Sequence, residues 1–265
     1  MPTVTLLEKV YSPFTIGHFE HFFSSLFKGL KVQVKVVGKT DHNWVKVEVS
    51  GEDETVALRY LDQKFGLAPT SVDEVKKFSI LKGKIIASEK NEENGLQVGI
   101  GISSPQFYGA FIPLQTLRAQ ITDGKNLLYN QIIDSFCLYE NLPLEIKIVS
   151  NIDIESEEKL ARAEFSERQL SQFARWLHAY IDRLIIFGAP RSQVERAIKE
   201  SKHIRDIIKI DSLGLLEHAA VCKLGTDAVG LIPKLGKLLS TAKLAPFSPR
   251  KIQQLISSER SNYYQ

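Results

Sequence analysis

The spacing of hydrophobic and polar residues predicts an N-terminal segment of alternating strands and helices, up to about residue 70. Strands are predicted at TVTLLEKVY, VQVKVV and NWVKVEV, and the last two alternate with a period of two. Helices are predicted at FEHFFSSLF, where aromatic residues recur at helical spacing, and at GEDETVALRYLDQKFG, which starts acidic and ends in glycine. The turn GKTDHN joins the second and third strands. The predicted order is β-α-β-β-α.

The middle segment, from Ile80 to Glu167, has the pattern of a small β-barrel. Short apolar runs separated by Gly, Asn, Ser and Pro predict five strands, at LKGKIIASE, GLQVGIGI, YGAFIPLQTL, NLPLEIKIVSNID and KLARAEFSE. One helix, NLLYNQIIDSF, separates the third strand from the fourth. Five short strands with a helix after the third are typical of a closed OB-type barrel.

The last segment repeats the element order of the first. After a leading helix at RQLSQFARWLHAYI, the pattern again predicts β-α-β-β-α, and Gly51-Glu52-Asp53 aligns with Gly225-Thr226-Asp227. The chain is therefore expected to be an α+β protein in which an OB-type barrel lies between two related β-α-β-β-α domains. The expected domains are residues 1–78, 79–167 and 168–265.

Composition places the 265-residue chain among ordinary globular proteins. It is 43% hydrophobic and 25% charged, with a net charge of only +3. No apolar run approaches a membrane span, and the N-terminus lacks the layout of a secretion signal. Cys137 and Cys222 both lie in apolar runs, which favours reduced, packed thiols. We therefore expect a cytoplasmic protein with no cofactor, no structural metal and no membrane contact.

The glycine-rich stretch VCKLGTDAVGLIPKLGKLL, residues 221–239, invites comparison with a phosphate-binding loop. Gly225 and Gly230 have the required spacing, but Leu231 and Ile232 stand where that loop needs Lys and Ser or Thr. The stretch is expected to be a strand-to-helix turn in which Thr226 or Asp227 caps the helix. No small-molecule substrate is inferred from it.

The middle segment resembles the RNA-binding barrel repeated in the large S-one protein of bacterial small ribosomal subunits. The resemblance lies in Lys82-Gly83-Lys84-Ile85-Ile86, Gly95 to Ile100, Ala110 to Leu117 and Leu144 to Asp153. It implies an OB barrel that binds RNA. Two features differ: Leu96, Gln97 and Val98 stand where the family places a stacking aromatic, and Pro113 replaces its histidine. The barrel is therefore expected to bind RNA weakly, to bind only its backbone, or to bind protein.

Most of the chain is also similar to an archaeal family catalogued as a domain of unknown function. The similarity is carried by Gly51 to Glu54, Ile112-Pro113-Leu114 with Leu117-Arg118, Asn141-Leu142-Pro143, His203 to Ile207 and Cys222 to Ala228. It implies an archaeal cytoplasmic protein and transfers no activity.

Candidate nucleic-acid contacts combine barrel cations with a basic C-terminal domain. Phe107, Tyr108 and Phe111 offer substitute stacking; core packing is favoured for Phe111, and both roles stay open for Tyr108. The basic cluster of the C-terminal domain either contacts phosphates or is simply a solvated helix end and hairpin edge. The expected nucleic-acid-binding residues are Lys82, Lys84, Tyr108, Arg118, Lys199, Lys202, His203, Arg205, Lys209, Lys223, Lys234 and Lys237.

Catalytic and metal sites find little support in the pattern. His18 and His21 lie at i, i+3 but lack further ligands, and Ser201, His203 and Asp206 fall too close together for a triad. We expect a non-catalytic protein that binds RNA or a ribosomal subunit, acting in translation or RNA metabolism. The alternatives are a protein-interaction or homodimerising scaffold module and, third, an RNA-processing enzyme.

Overall fold

The computed structural model describes residues 1–11, 15–87, 94–102, 107–152 and 159–258. In chain order it contains a three-stranded sheet, a closed five-stranded barrel and a four-stranded sheet, with helices packed on them. This is the α+β architecture with a central OB-type barrel that the sequence predicts. The end of the predicted first barrel strand, residues 88–89, and Asp153 lie outside the described residues.

The N-terminal unit is a sheet covered by two helices. Its elements are β1 (Thr3–Lys9), α1 (Thr15–Leu26), β2 (Val32–Lys39), β3 (Trp44–Gly51) and α2 (Glu54–Phe65). The antiparallel order is β1-β3-β2, and Asn43, at a φ of 64°, turns the chain from β2 into β3 as predicted. Phenylalanines of both helices pack against alternate valines of the strands, so the two periodicities in the sequence bury a common core.

The middle unit is the barrel. A short 3-10 helix, Val72–Glu74, precedes strands β4 (Ile80–Ile85), β5 (Gly95–Gly99), β6 (Gly109–Pro113), β7 (Pro143–Ile148) and β8 (Leu160–Phe165). The closed order is β4-β5-β6-β8-β7, in which β6 and β8 are parallel and the other pairs antiparallel. This Greek-key closure of five strands is that of an OB-type barrel. Its interior is filled by every second residue of each strand.

Two helices, where the sequence analysis expected one, connect the third barrel strand to the fourth. They are α3 (Leu114–Ile121) and α4 (Tyr129–Phe136). The prediction that residues 114–117 continue the strand was wrong. Pro113 ends β6, and the buried side chains of Leu117 and Ile121 follow at helical spacing.

The C-terminal unit contains the predicted elements and two more. They are α5 (Glu167–His178), β9 (Arg183–Phe187), α6 (Arg191–Glu200), β10 (Ile207–Ser212), β11 (Glu217–Cys222), α7 (Ala228–Leu238), β12 (Lys243–Phe247) and α8 (Pro249–Ser258). The antiparallel sheet order is β10-β11-β9-β12. Asp227 caps α7 by accepting a hydrogen bond from the Val229 N–H, and α7 continues through Pro233. The sequence pattern did not predict β12 and α8.

The two flanking units share one topology. The equivalent strands lie in the orders β1-β3-β2 and β9-β11-β10. Gly51 and Gly225 both have positive φ, and each lies two residues before the Asp that occupies the N-cap of the next helix. The topology therefore agrees with the predicted duplication. Since β2 and β10 are both edge strands, the homodimer through such an edge stays a prediction.

A buried ion cluster joins one strand from each unit. The Lys84 ammonium on β4 lies 2.5 Å from a carboxylate oxygen of Glu8 on β1 and 2.7 Å from one of Glu217 on β11. All three residues are at most 2% exposed. The Tyr11 hydroxyl donates a hydrogen bond to Glu217, and the Leu215 N–H donates one to Glu8. We call Glu8, Lys84 and Glu217 the junction cluster.

Two carboxylates share one ammonium in the junction cluster, and the pKa values of Glu8 and Lys84 are both shifted. Burial, together with the charge of Glu217, raises the pKa of Glu8 to about 7, although Lys84 and the Leu215 N–H oppose the shift. Burial alone would lower the pKa of Lys84, but Glu217 and Glu8 outweigh that effect and raise it. The lysine is therefore charged throughout the physiological range.

The turn between β10 and β11 also ties the outer units together. Leu215 and Leu216 are buried in the hydrophobic core of the N-terminal unit.

Both cysteines are free and buried, and burial raises the pKa of each thiol to about 12. Within the described ranges, no helix combines the length and the apolar character needed to cross a bilayer.

Replacing Gly214 with alanine is expected to destabilise the protein by about 1–3 kcal/mol through overpacking. A Cβ at this position would lie 2.2 Å from the Glu217 Oε2 and 3.1 Å from a Glu8 oxygen. Urea unfolding of Gly214→Ala beside Gly230→Ala tests this. Gly230 is exposed in α7 with open space around it, so that control should gain up to about 1 kcal/mol of helix propensity. Equal stability of the two variants would contradict the close packing at Gly214.

Candidate nucleic-acid interface

Three adjacent side chains form a row on the outer surface of the barrel. Gln97 on β5 is paired in register with Phe111 on β6, which is paired with Arg162 on β8. Each lies between two fully or almost fully buried residues of its strand, so alternation directs it outward. Gln97 and Phe111 are half-buried and Arg162 is exposed. We call these three residues the barrel row.

Phe111 supplies an aromatic ring to this surface. Gly95 leaves room for the ring, since a Cβ on Gly95 would lie 2.7 Å from Phe111 Cζ. The expectation of core packing for Phe111 is wrong, because Ala110 and Ile112 take the inward positions of β6. Tyr108 is the buried aromatic, 8% exposed and part of the barrel core, so its prediction as a nucleic-acid contact is corrected.

The N-terminal unit covers the neighbouring part of the barrel surface. A Cβ at Gly99 on β5 would lie 2.9 Å from the Trp44 ring, and the His42 ring contacts that of Phe107 at 4.8 Å between centroids. On β4 the outward side chain of Lys84 is buried in the junction cluster. Lys84 is therefore not available to nucleic acid, and that prediction is also corrected.

The other two predicted barrel cations hold secondary structure elements together. The Lys82 ammonium donates to the carbonyl oxygens of Asp62 and Gln63 at the end of α2, at 3.2 and 2.6 Å. Arg118 donates from Nε to the Leu127 carbonyl oxygen at 2.8 Å. Both side chains are half-buried, and their hydrogen-bond donors are largely occupied by partners within the protein.

The C-terminal cations are exposed, but several lie on the far side of the sheet from the barrel. Leu184 and Ile186 of β9 pack against α6 and α7, whereas Ile185 and Phe187 pack against the barrel core. Helices α6 and α7 therefore lie on the opposite face of the sheet from the barrel. The exposed lysines of these two helices are Lys199, Lys234 and Lys237.

The remaining predicted residues cluster near the end of β11. The Lys223 N–H donates to the Asp206 carbonyl oxygen at 2.7 Å, which brings two turns together. The exposed cations of these turns are Lys202, Arg205 and Lys223. Lys209 is exposed on β10 and pairs with Asp211, and half-buried His203 pairs with Asp206. Acidic side chains thus neutralise part of this surface.

Gln97 and Arg162 of the barrel row were not among the residues predicted from the sequence. A signal was present in KLARAEFSE, because Arg162 stands between two alanines in an alternating strand. No group of three or more possible His, Cys, Asp or Glu metal ligands occurs in the part of the chain that the structure describes. His18 and His21 instead line a cavity of about 530 Å³ between α1 and the C-terminal unit.

The fold defines an α+β protein with an OB-type barrel between two flanking units of the same topology. Models of the DUF2110 N-terminal domain and the DUF2110 C-terminal domain match residues 3–71 and 181–246. The chain therefore belongs to the DUF2110 family. This agrees with the expected relation to a domain of unknown function, while the archaeal source stays a prediction.

Other comparisons add little. A search of curated proteins finds no match. Among solved structures, the chain is similar at 14% identity to a protein of Thermus thermophilus known from its crystal structure. The alignment covers 98% of this chain and 42% of that protein, with a TM-score of 0.16. A similarity at that level carries no inference about fold or function.

Proposed function

We propose that the protein binds single-stranded RNA, without catalysis, through the barrel row. The observation that carries this proposal is the adjacent placement of an aromatic ring, a cation and an amide on the outer face of the barrel. β5 and β6 are the second and third barrel strands, and this face of OB barrels binds oligonucleotides. In the proposal a base stacks on Phe111, while Arg162 contacts phosphate or a neighbouring base.

The exposed C-terminal cations supply a second, less specific contact. They attract phosphate, so their contribution falls as the salt concentration rises. Because the lysines of α6 and α7 lie beyond the sheet, an RNA that reaches them and the barrel row must be long or folded. A ribosomal subunit or another structured RNA meets that need. In this proposal the protein acts in the cytoplasm of an archaeon, in translation or RNA metabolism.

Replacing Phe111 with alanine is expected to weaken RNA binding by about 1–3 kcal/mol, the loss of one base–aromatic stack. Arg162→Ala should weaken binding and lower the slope of log K against log salt by about 0.7, the value for one phosphate contact on a single strand. Fluorescence anisotropy with a labelled oligoribonucleotide of about ten nucleotides, at two salt concentrations, measures both effects.

The matched control is Arg59→Ala, which removes an exposed arginine from α2 in the N-terminal unit. Its affinity and salt slope should equal those of the wild type. If the wild type shows no salt-sensitive binding, RNA binding is refuted. If Arg59→Ala and Arg162→Ala lose affinity equally, the contact is not made by the barrel row.

A further inference from the structure

Phe78 is an exposed aromatic residue held in an unusual backbone conformation beside the barrel. Its side chain is 64% exposed, and its φ is 71°. A bulky side chain such as phenylalanine is strained in the left-handed region of backbone conformation. Such strain is concentrated at functional sites. Phe78 therefore has neither the burial nor the backbone preference that would explain a phenylalanine by folding alone.

Hydrogen bonds fix this conformation to the last residues of β7. The Phe78 N–H donates to the Ile148 carbonyl oxygen at 2.7 Å, and the Ile148 N–H donates to that of Ser79 at 2.9 Å. The preceding N–H, that of Lys77, donates to the Asn151 side chain. The Phe78 ring is therefore held on a backbone that is anchored to the barrel wall. Binding a ligand to it costs less conformational entropy than binding to a mobile loop.

Two lysines lie against the Phe78 ring. The Lys77 ammonium is 4.9 Å from the ring centroid and the Lys147 ammonium is 5.8 Å from it. Lys147 also shares its charge with Glu164 at 3.0 Å. Ile80 on β4 and Val149, the residue after β7, are both exposed and add apolar surface to this side of the barrel. An aromatic ring surrounded by flexible cations suits a ligand with a flat π-system and negative charge.

We propose that Phe78, Lys77 and Lys147 form a second RNA-stacking site, one that uses a different ring from Phe111 and lies beside the barrel row. This inference rests on the proposed function and extends it, since β7 is the strand next to β8, which carries Arg162 of the barrel row. A base replaces one lysine on the Phe78 ring, and the released ammonium pairs with the adjacent phosphate. A single strand that uses both sites passes around the barrel wall over β8.

The variant Phe78→Asn tests the site without unfolding the protein. Asparagine tolerates positive φ better than phenylalanine, so the melting temperature should stay equal or rise. Affinity for an oligoribonucleotide of about twelve nucleotides should fall roughly 5- to 150-fold, the equivalent of one lost stack. Phe78→Tyr keeps a ring and should keep most of the affinity.

Tyr180→Asn is the matched control. Tyr180 is also an exposed aromatic at positive φ, 50% exposed with a φ of 51°, but it follows α5 in the C-terminal unit. Its replacement should leave affinity unchanged. Photo-crosslinking with 5-iodouridine in the RNA gives a direct second measurement, because a stacked base should attach to the tryptic peptide of residues 78–82.

The outcomes separate this site from the proposed function. If Phe111→Ala weakens binding while Phe78→Asn binds like the wild type and residues 78–82 acquire no crosslink, the second site is refuted and RNA binding stands. If Tyr180→Asn and Phe78→Asn lose affinity equally, the effect is not specific to this site and the proposal fails. If the wild type binds no RNA, both proposals fall together.

Discussion

Replacing Lys84 with methionine is expected to lower the free energy of unfolding by about 3–5 kcal/mol at pH 8. The lysine is the ammonium partner of two buried carboxylates, Glu8 and Glu217, and joins strands from all three units. Its removal leaves two buried carboxyl groups facing each other with no counter-ion, so any negative charge on them is unpaired away from water. Urea denaturation followed by circular dichroism measures the change.

Two comparisons test the cause of that loss. Lys35→Met removes an exposed lysine from the edge strand β2 and should change stability by no more than about 0.5 kcal/mol. A triple variant, Lys84→Met with Glu8→Gln and Glu217→Gln, should recover much of the stability, because neutral side chains need no counter-ion. If the triple variant is less stable than Lys84→Met alone, the loss of the counter-ion of the two carboxyl groups is not the cause.

Stability is expected to fall as the pH rises from about 5 to 7, by on the order of 1 kcal/mol per pH unit from Glu8 alone. The pKa of Glu8 is about 7 in the folded protein, against an ordinary value of 4.5. At pH values between 4.5 and 7, Glu8 is protonated in the folded state and ionised in the unfolded state. The stabilisation is therefore complete below pH 4.5, is lost as the pH rises through 7, and is constant above.

The measurement is the difference between wild type and Glu8→Gln, obtained by chemical denaturation at several pH values. His218 acts in the opposite direction, because burial lowers the pKa of its imidazole and unfolding would allow it to bind a proton. That contribution is present in both proteins and cancels in the difference. Parallel stability curves for the two proteins between pH 5 and 7 would show that Glu8 titrates normally.

The sequence predicts the fold where alternation is local. The two strands of the N-terminal hairpin and the five of the barrel place every second side chain inward, and that pattern is legible in the chain. It fails at β12, whose five residues include Pro246 and give too short a signal. It also fails at residues 114–117, where helical spacing begins only after Pro113.

The site was harder to predict because exposure depends on contacts between distant segments. Alternation in β4 places Lys84 on the outward side, where a lysine is ordinarily solvated. Only the approach of β1 and β11 makes that position buried, and no pattern within β4 shows it. Phe111 differs: its position between two inward residues was available from the sequence, but aromatic character favoured the core.

The insertion of Leu215 and Leu216 into the first unit has a consequence for synthesis on the ribosome. These residues follow the end of α2 by about 150 positions. At typical elongation rates, Leu215 and Leu216 are synthesised on the order of ten seconds after the phenylalanines of α1 and α2 that they help to bury. The barrel, whose strands end at Phe165, emerges completely before that moment. The barrel should therefore fold first, and the N-terminal and C-terminal units should complete their packing together.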